Sequence, residues 1–223
     1  MQRLDWHPAR LPARQPLDGN LVRLEPLDPP KHGDDLFAQT AGADSSWDYL
    51  AYGPFTRDEF VRWLEQRAPL DDPLTFAIID RAPGTARGLA SFMRMDPLNG
   101  VIEIGHIWLS PGLQKTRQAT EAIYLMSRYA FELGNRRLEW KCDALNAASR
   151  RAADRFGFVF EGVFRQHMVI KGRNRDTAWY SITDGEWPSR QAAFEAWLAP
   201  ANFDAAGTQR RSLSELRSQP AGT

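Results

Sequence analysis

The chain of 223 residues is 43% hydrophobic, which suffices for a full core, excludes wholesale disorder and favours one domain with appendages. Twenty-eight basic residues balance twenty-eight acidic ones, so no wide positive field recruits nucleic acid or an anionic membrane, and a small or locally recognised substrate is expected. Cys142 is the only cysteine, which excludes an intramolecular disulfide framework and a thiolate metal cluster.

In chain order, residues 1–16 are rich in proline and arginine and predict an extended arm. They lack a hydrophobic signal core, and no apolar run in the chain approaches membrane-spanning length, so a cytoplasmic protein is expected. Alternating Leu21 to Glu25 predicts a first strand, and Pro29 and Pro30 open a short helix through Leu36 and Phe37. Thr56 and Glu59 form a capping box, in which hydroxyl and carboxylate satisfy amides at a helix start, and Phe60, Trp63 and Leu64 give that helix an apolar face. Leu74 to Asp80 and Leu89 to Met95 are expected as strands joined by a turn around Gly84, with a further turn at Asn99-Gly100 before a strand over Val101–Leu109. A helix follows from Thr116 to Leu133, closed by Gly134, then a strand over Arg137–Asp143. Strand, helix and strand in that order make 101–109 and 137–143 parallel neighbours through a crossover. Ala147–Phe156 is expected as a helix ended by Gly157, Phe158–Phe164 as a strand, and His167–Lys171 with Thr177–Ile182 as a hairpin about Gly172. Gln191 to Leu198 predicts a last helix, and residues 200–223, without apolar periodicity, a mobile tail after a domain spanning 17–199.

The junction at Ser110-Pro-Gly carries the most functional information. First-turn amides of a helix that follows a strand through a short turn have no intrahelical partner and carry partial positive charge, so they attract phosphate. The segment Glu103 to Ala122 resembles motif A of the GCN5-related N-acetyltransferase (GNAT) superfamily, in its ribosomal-protein-acetyltransferase-like branch. Asn146-Ala-Ala-Ser149, Arg155-Phe-Gly-Phe158, Glu161-Gly162, Arg165 and Arg175 to Ser181 follow in the family's order, so the resemblance extends from about Leu17 to Trp187. It implies an α/β fold with a mixed, mostly antiparallel sheet, helices on both faces and a splayed central parallel pair. It also implies acetyl-CoA as cosubstrate and a primary amine of a small molecule or a protein N-terminus as acceptor.

Carried over residue by residue, the motif assigns the pyrophosphate to Gln114, Lys115, Thr116, Arg117, Gln118 and Ala119. Arg117 stands where the family has its first glycine, and must either turn its side chain aside or offer it to the phosphate. Backbone groups of Ile107, Trp108 and Leu109 are expected to pair with the pantetheine arm as an added strand, and Asn146 and Ser149 to contact it. Both residues are also good helix-start caps, so local stability alone is the other account of them. Glu103 is the candidate general base by resemblance, and alternatively a strand carboxylate bound to a neighbouring backbone group or arginine. The resemblance to ribosomal-protein acetyltransferases, whose matching serine is proposed to protonate or hydrogen-bond the thiolate, makes Ser149 the candidate acid, and it carries the role alone because the tyrosine that many superfamily members place four residues before the glycine of Gly-Phe is Ala153 here. Strand parity puts Glu103 and His106 on opposite faces unless a bulge intervenes. The histidine is the reserve base because it titrates near neutrality.

Trp47, Tyr49, Tyr52, His106 and Tyr180 are the candidate acceptor-site residues, with a hydrophobic cap over the core as the alternative reading of the aromatic run from Trp47 to Phe55. Of Trp179 and Tyr180, which alternate, one faces the core and the other the cleft. Four scattered histidines offer no metal-ligand spacing, so no metal is expected. The aromatic loop and the terminal arm are candidates for a homodimer surface. A fold of this kind that binds acyl-CoA or a protein without turnover is the rival reading.

Overall fold

Turn-separated alternation in the first half of the chain produces an antiparallel meander. In the computed structural model, which describes residues 4–218, it comprises β1 (Leu17–Asp18), β2 (Val22–Pro26), β3 (Leu74–Asp80), β4 (Thr85–Asp96) and β5 (Val101–Leu109). Between β2 and β3 the chain detours through α1 (Pro29–Ala38) and α2 (Arg57–Arg67), the latter opened by the expected Thr56–Glu59 capping box. Then come α3 (Arg117–Glu132), β6 (Arg137–Asp143), α4 (Ala147–Phe156), β7 (Val159–Ile170), β8 (Arg173–Thr183), α5 (Trp187–Leu198) and α6 (Leu213–Arg217). The eight strands form one sheet in the order β1-β2-β3-β4-β5-β6-β8-β7, in which only β5 and β6 run parallel.

The sheet separates two apolar cores. On one face α3, α4, α5 and α6 cover Phe76, Phe92, Ile102, Ile104, Leu138, Trp140 and Tyr180. On the other, α1 and α2 cover Ala77, Leu89 and Trp108 through Leu36, Phe60 and Leu64. Trp47 is the hub of this second core, stacked 4.9 Å from Trp108 and edge-on to Phe55, Phe60 and Trp63. The Glu121 carboxylate, buried on α3, accepts the amides of Asn20, Leu21 and Val22 and fastens the β1–β2 turn to the helix layer.

Two elements differ from expectation. Phe158–Phe164 and His167–Lys171 are one strand, β7, because its pairing with β8 absorbs extra residues between Phe164 and Met168, where Gln166 takes a φ of 50°. The segment after residue 199, expected as a mobile tail, is built into the domain over its described part. A Ser212–Glu215 capping box starts α6, Leu213 is buried in the larger core, and Arg217 donates to the carbonyls of Asp154 and Arg155 at the end of α4. Its lack of periodicity was misleading because one buried leucine and one arginine suffice to anchor a single turn. The N-terminal arm, offered as part of a dimer surface, lies along its own domain: Ala9 bonds to Pro97, Arg10 to Leu133, and the Trp6 indole to Leu98.

Candidate active site

β5 and β6 pair over only three positions, Val101 to Glu103 against Arg137 to Glu139, and then diverge. From Ile104 onward the β6 side of β5 is therefore released from the parallel ladder. Beyond the end of β5, Ser110 to Thr116 lead into α3. Lys115 adopts a φ of 61°, and Thr116 caps the helix by accepting the Ala119 amide at 3.1 Å. The amides of Lys115, Thr116, Arg117 and Gln118 have no protein acceptor among the described residues, which leaves a cluster of donors at the positive end of the α3 dipole.

The arginine in this turn points away from it. Arg117 directs its guanidinium over the Phe203 ring, 3.8 Å from the centroid, and donates to the Leu198 carbonyl at 3.3 Å. A parted parallel pair opening onto bare helix amides suits a ligand with an extended arm and a phosphate. The acetyltransferase (GNAT) domain profile matches residues 22–159.

The chain belongs to the GNAT acetyltransferase family.

It is an N-acetyltransferase, in a family that generally uses acetyl-CoA, and it resembles the ribosomal-protein branch. A GCN5-related N-acetyltransferase from Brucella melitensis is 52% identical and superposes with a TM-score of 0.94 over 96% of this chain and 99% of that one. The Bacillus subtilis (strain 168) protein YdaF, provisionally named a ribosomal N-acetyltransferase, is 28% identical over 74% of this chain and 90% of its own length. The ribosomal-protein-serine acetyltransferase of Escherichia coli (strain K12) is 32% identical over 42% of this chain and 52% of its own.

In this GNAT domain the candidate base is a paired carboxylate. Glu103 is buried, and Arg94 donates to both its oxygens at 2.8 and 3.1 Å while the Lys141 ammonium lies 2.9 Å from Oε2. Lys141 also meets Glu139, which Arg137 bridges to Glu161, so the ion pairs run from β4 to β7 across the opening of the sheet. Arg94 Nη1 hydrogen-bonds both carboxylate oxygens and Lys141 pairs with Oε2, which leaves Oε1 the less engaged of the two. The alternative of an arginine-bound strand carboxylate thus describes the free protein.

A bulge overturns the simple parity of β5. The ladder with β4 skips from Gly105 opposite Ser91 to Trp108 opposite Leu89, and His106 takes a φ of 50°. The extra residue brings His106 to the same face as Glu103, toward α2, where the Tyr52 hydroxyl lies 2.9 Å from its Nδ1. Burial, and then the guanidinium groups of Arg67, Arg94 and Arg175, push the imidazole pKa down to about 3, so the ring is neutral at physiological pH. Burial likewise pushes the Tyr52 phenol up to about 12.

The remaining candidates divide between the two faces of the GNAT sheet. Asn146 is the N-cap of α4 and accepts the Ser149 amide at 2.9 Å, while Ser149 Oγ accepts the Trp140 indole N–H at 3.0 Å. Gln114 folds back to donate to the Leu109 carbonyl. Trp108 is buried, its indole bonded to Ser46, so only its backbone is available to a ligand, whereas the Ile107 and Leu109 side chains are half-buried. Trp47 is fully buried, as the cap reading has it, and Tyr49 is exposed with its hydroxyl on the Leu145 carbonyl.

Tyr180, expected in the acceptor cleft, is instead buried in the larger core, and its hydroxyl accepts from Arg150. Its neighbour Trp179 occupies the opposite face, with the Lys141 ammonium 3.9 Å over its ring and Phe164 beside it. Lys141 and Arg67 were not singled out from the sequence, and nothing local marks Arg67 at the end of α2. Arg175 opens the stretch to Ser181 that resembles the family's final strand, within the hairpin charges Arg173 to Asp176 that can bind an acidic group, and it alternates with Thr177 and Trp179. Among the described residues no His, Cys, Asp and Glu group is gathered as a metal site.

Proposed function

We propose that this protein transfers the acetyl group of acetyl-CoA to the primary amine of a small molecule or a protein N-terminus, directly within a ternary complex. The observation that carries this reading is the release of β5 from β6 after Glu103 immediately before the unpartnered amides of Lys115 to Gln118. Those amides take the pyrophosphate, and the redirected Arg117 side chain leaves their approach clear as a glycine does. The released backbone of Ile107 to Leu109 pairs with the pantetheine arm, and an amide at Trp108 or Leu109 polarises the thioester carbonyl. The thioester supplies an activated acetyl group.

The acceptor amine lies on the face that carries Glu103, His106, Lys141 and Trp179. Glu103 takes its proton through a water on the open side of Oε1, held in place by Arg94 and Lys141. Ser149, which retains its hydroxyl proton while accepting from Trp140, donates a hydrogen bond to the departing thiolate, which takes its proton from solvent as Glu103 releases the amine proton to solvent. The names of the Bacillus subtilis and Escherichia coli relatives favour a protein acceptor.

Thermal-shift titration with acetyl-CoA, followed by an amine panel read by release of free CoA, tests the reading. A ligand held only by the folded state must raise the midpoint. No shift at millimolar acetyl-CoA refutes transfer from it. A shift with no CoA release for any amine supports instead a binding module on the same fold.

A further inference from the structure

The arginines near the sheet opening fall into two groups. Arg94 and Arg137 are matched by Glu103, Glu139 and Glu161, within the alternating chain of ions described above. Arg67 and Arg175 have no carboxylate within ion-pairing distance among the described residues. Arg67 leans over Tyr52 and Trp63, 5.0 and 4.8 Å from their ring centroids, and its Nε and Nη1 are buried without a hydrogen-bond partner. Arg175 spends its Nε on the Thr177 hydroxyl at 3.2 Å. Guanidinium N–H groups desolvated without an acceptor are costly, and those of Arg67 are donors that an anion would satisfy.

Both groups address the acceptor side. Arg67 reaches His106 through the intervening Tyr52 ring, whose hydroxyl touches the imidazole. Arg175 shares its strand face with Thr177 and Trp179, beside Lys141. Their charges, with that of Arg94, are felt together at the His106 ring, and burial lowers the proton affinity of each of the two guanidiniums. Opposite them stands the carboxylate of Glu103, already held by two cations.

We propose that Arg67 and Arg175 form an anion-recognition site beside the acceptor amine, and that the acceptor is a primary amine carrying a carboxylate. The proposal rests on the acetyltransferase reading for the identity of this face. The planar fork of an arginine engages a carboxylate through two parallel N–H bonds, which fixes the direction of the attached amine as well as its charge. Binding such an acceptor also removes the positive field from His106.

The test compares acceptors matched except for the charge: a free amino acid against its amide, and a peptide with an acidic first residue against its Asn or Gln counterpart. The expected result is at least a tenfold higher kcat/KM for the acid in one of the two pairs, and which pair responds distinguishes a free amino acid from a peptide side chain. Arg67→Gln and Arg175→Gln should each raise KM for the acid about tenfold and leave the amide unchanged within twofold. Arg67→Lys, which keeps the charge without the fork, should recover part of the loss. Equal use of acid and amide by the native protein, or variants that impair both alike, overturns the proposal.

Carboxylate binding is also read without turnover, by quenching of tryptophan fluorescence on titration with the same amino acid and its amide. Saturable quenching by the acid alone, lost in Arg67→Gln, supports the anion site even if acetyl transfer fails. No saturable response to the amino acid, nor to the acidic peptide titrated in the same way, at tens of millimolar overturns it even if transfer to other amines succeeds.

Discussion

The guanidinium of Arg117 lies 3.8 Å over the ring of Phe203, eighty-six positions further along the chain, and this contact turns the side chain away from the amides at the start of α3. Two sequence features that were each anomalous, an arginine in place of a glycine and an apparently unstructured C-terminal segment, are halves of one interaction. Cation–π stacking of this kind contributes about 1 kcal/mol, enough to select a rotamer.

Arg117→Gly should therefore leave the dissociation constant for acetyl-CoA within about threefold while lowering thermal stability, because it removes the Phe203 stack and the bond to Leu198. Calorimetric titration and a melting curve check both halves. A tenfold weaker dissociation constant means that the arginine touches phosphate in the complex.

The packed segment itself carries a prediction. Leu213 sits in the larger core, so Leu213→Ala should cost about 2 to 4 kcal/mol in urea unfolding, the usual range for a buried leucine. An unchanged midpoint contradicts the docked arrangement.

Glu103→Gln should lower stability by about 2 kcal/mol, since Arg94 and Lys141 each lose a charged acceptor. In the proposed mechanism it also lowers kcat at least tenfold. Ser149→Ala should lower kcat by a similar factor while acetyl-CoA binding stays within threefold. If Glu103→Gln loses stability without losing kcat, the carboxylate is only a tie between strands.

His106 titrates against stability. Its folded pKa lies near 3, below the ordinary 6.5, so unfolding takes up a proton between those values. Its contribution is complete above about pH 6.5 and is lost as pH falls toward 3, at about 1.4 kcal/mol per pH unit. Urea unfolding at pH 7, 6 and 5 should show a shallower decline for His106→Gln than for the native chain. Parallel declines refute the buried neutral imidazole.

By itself the sequence determined what local chemistry controls. The exact spans of β5, β6 and α4, the Thr56–Glu59 box and the strand–turn–helix junction were legible because alternation, capping residues and glycine stops act within a few positions. The tertiary structure decided everything that depends on a neighbour distant in the chain. The bulge at His106 is visible only against the register of β4, and it alone turns that residue toward Glu103. Glu103 meets Lys141 because the crossover sets the parallel register, and Arg117 leaves its turn because Phe203 receives it. Side-chain alternation counts residues along one strand, whereas a site is assembled across several, so the motif located the chemistry and packing chose which side chains share it.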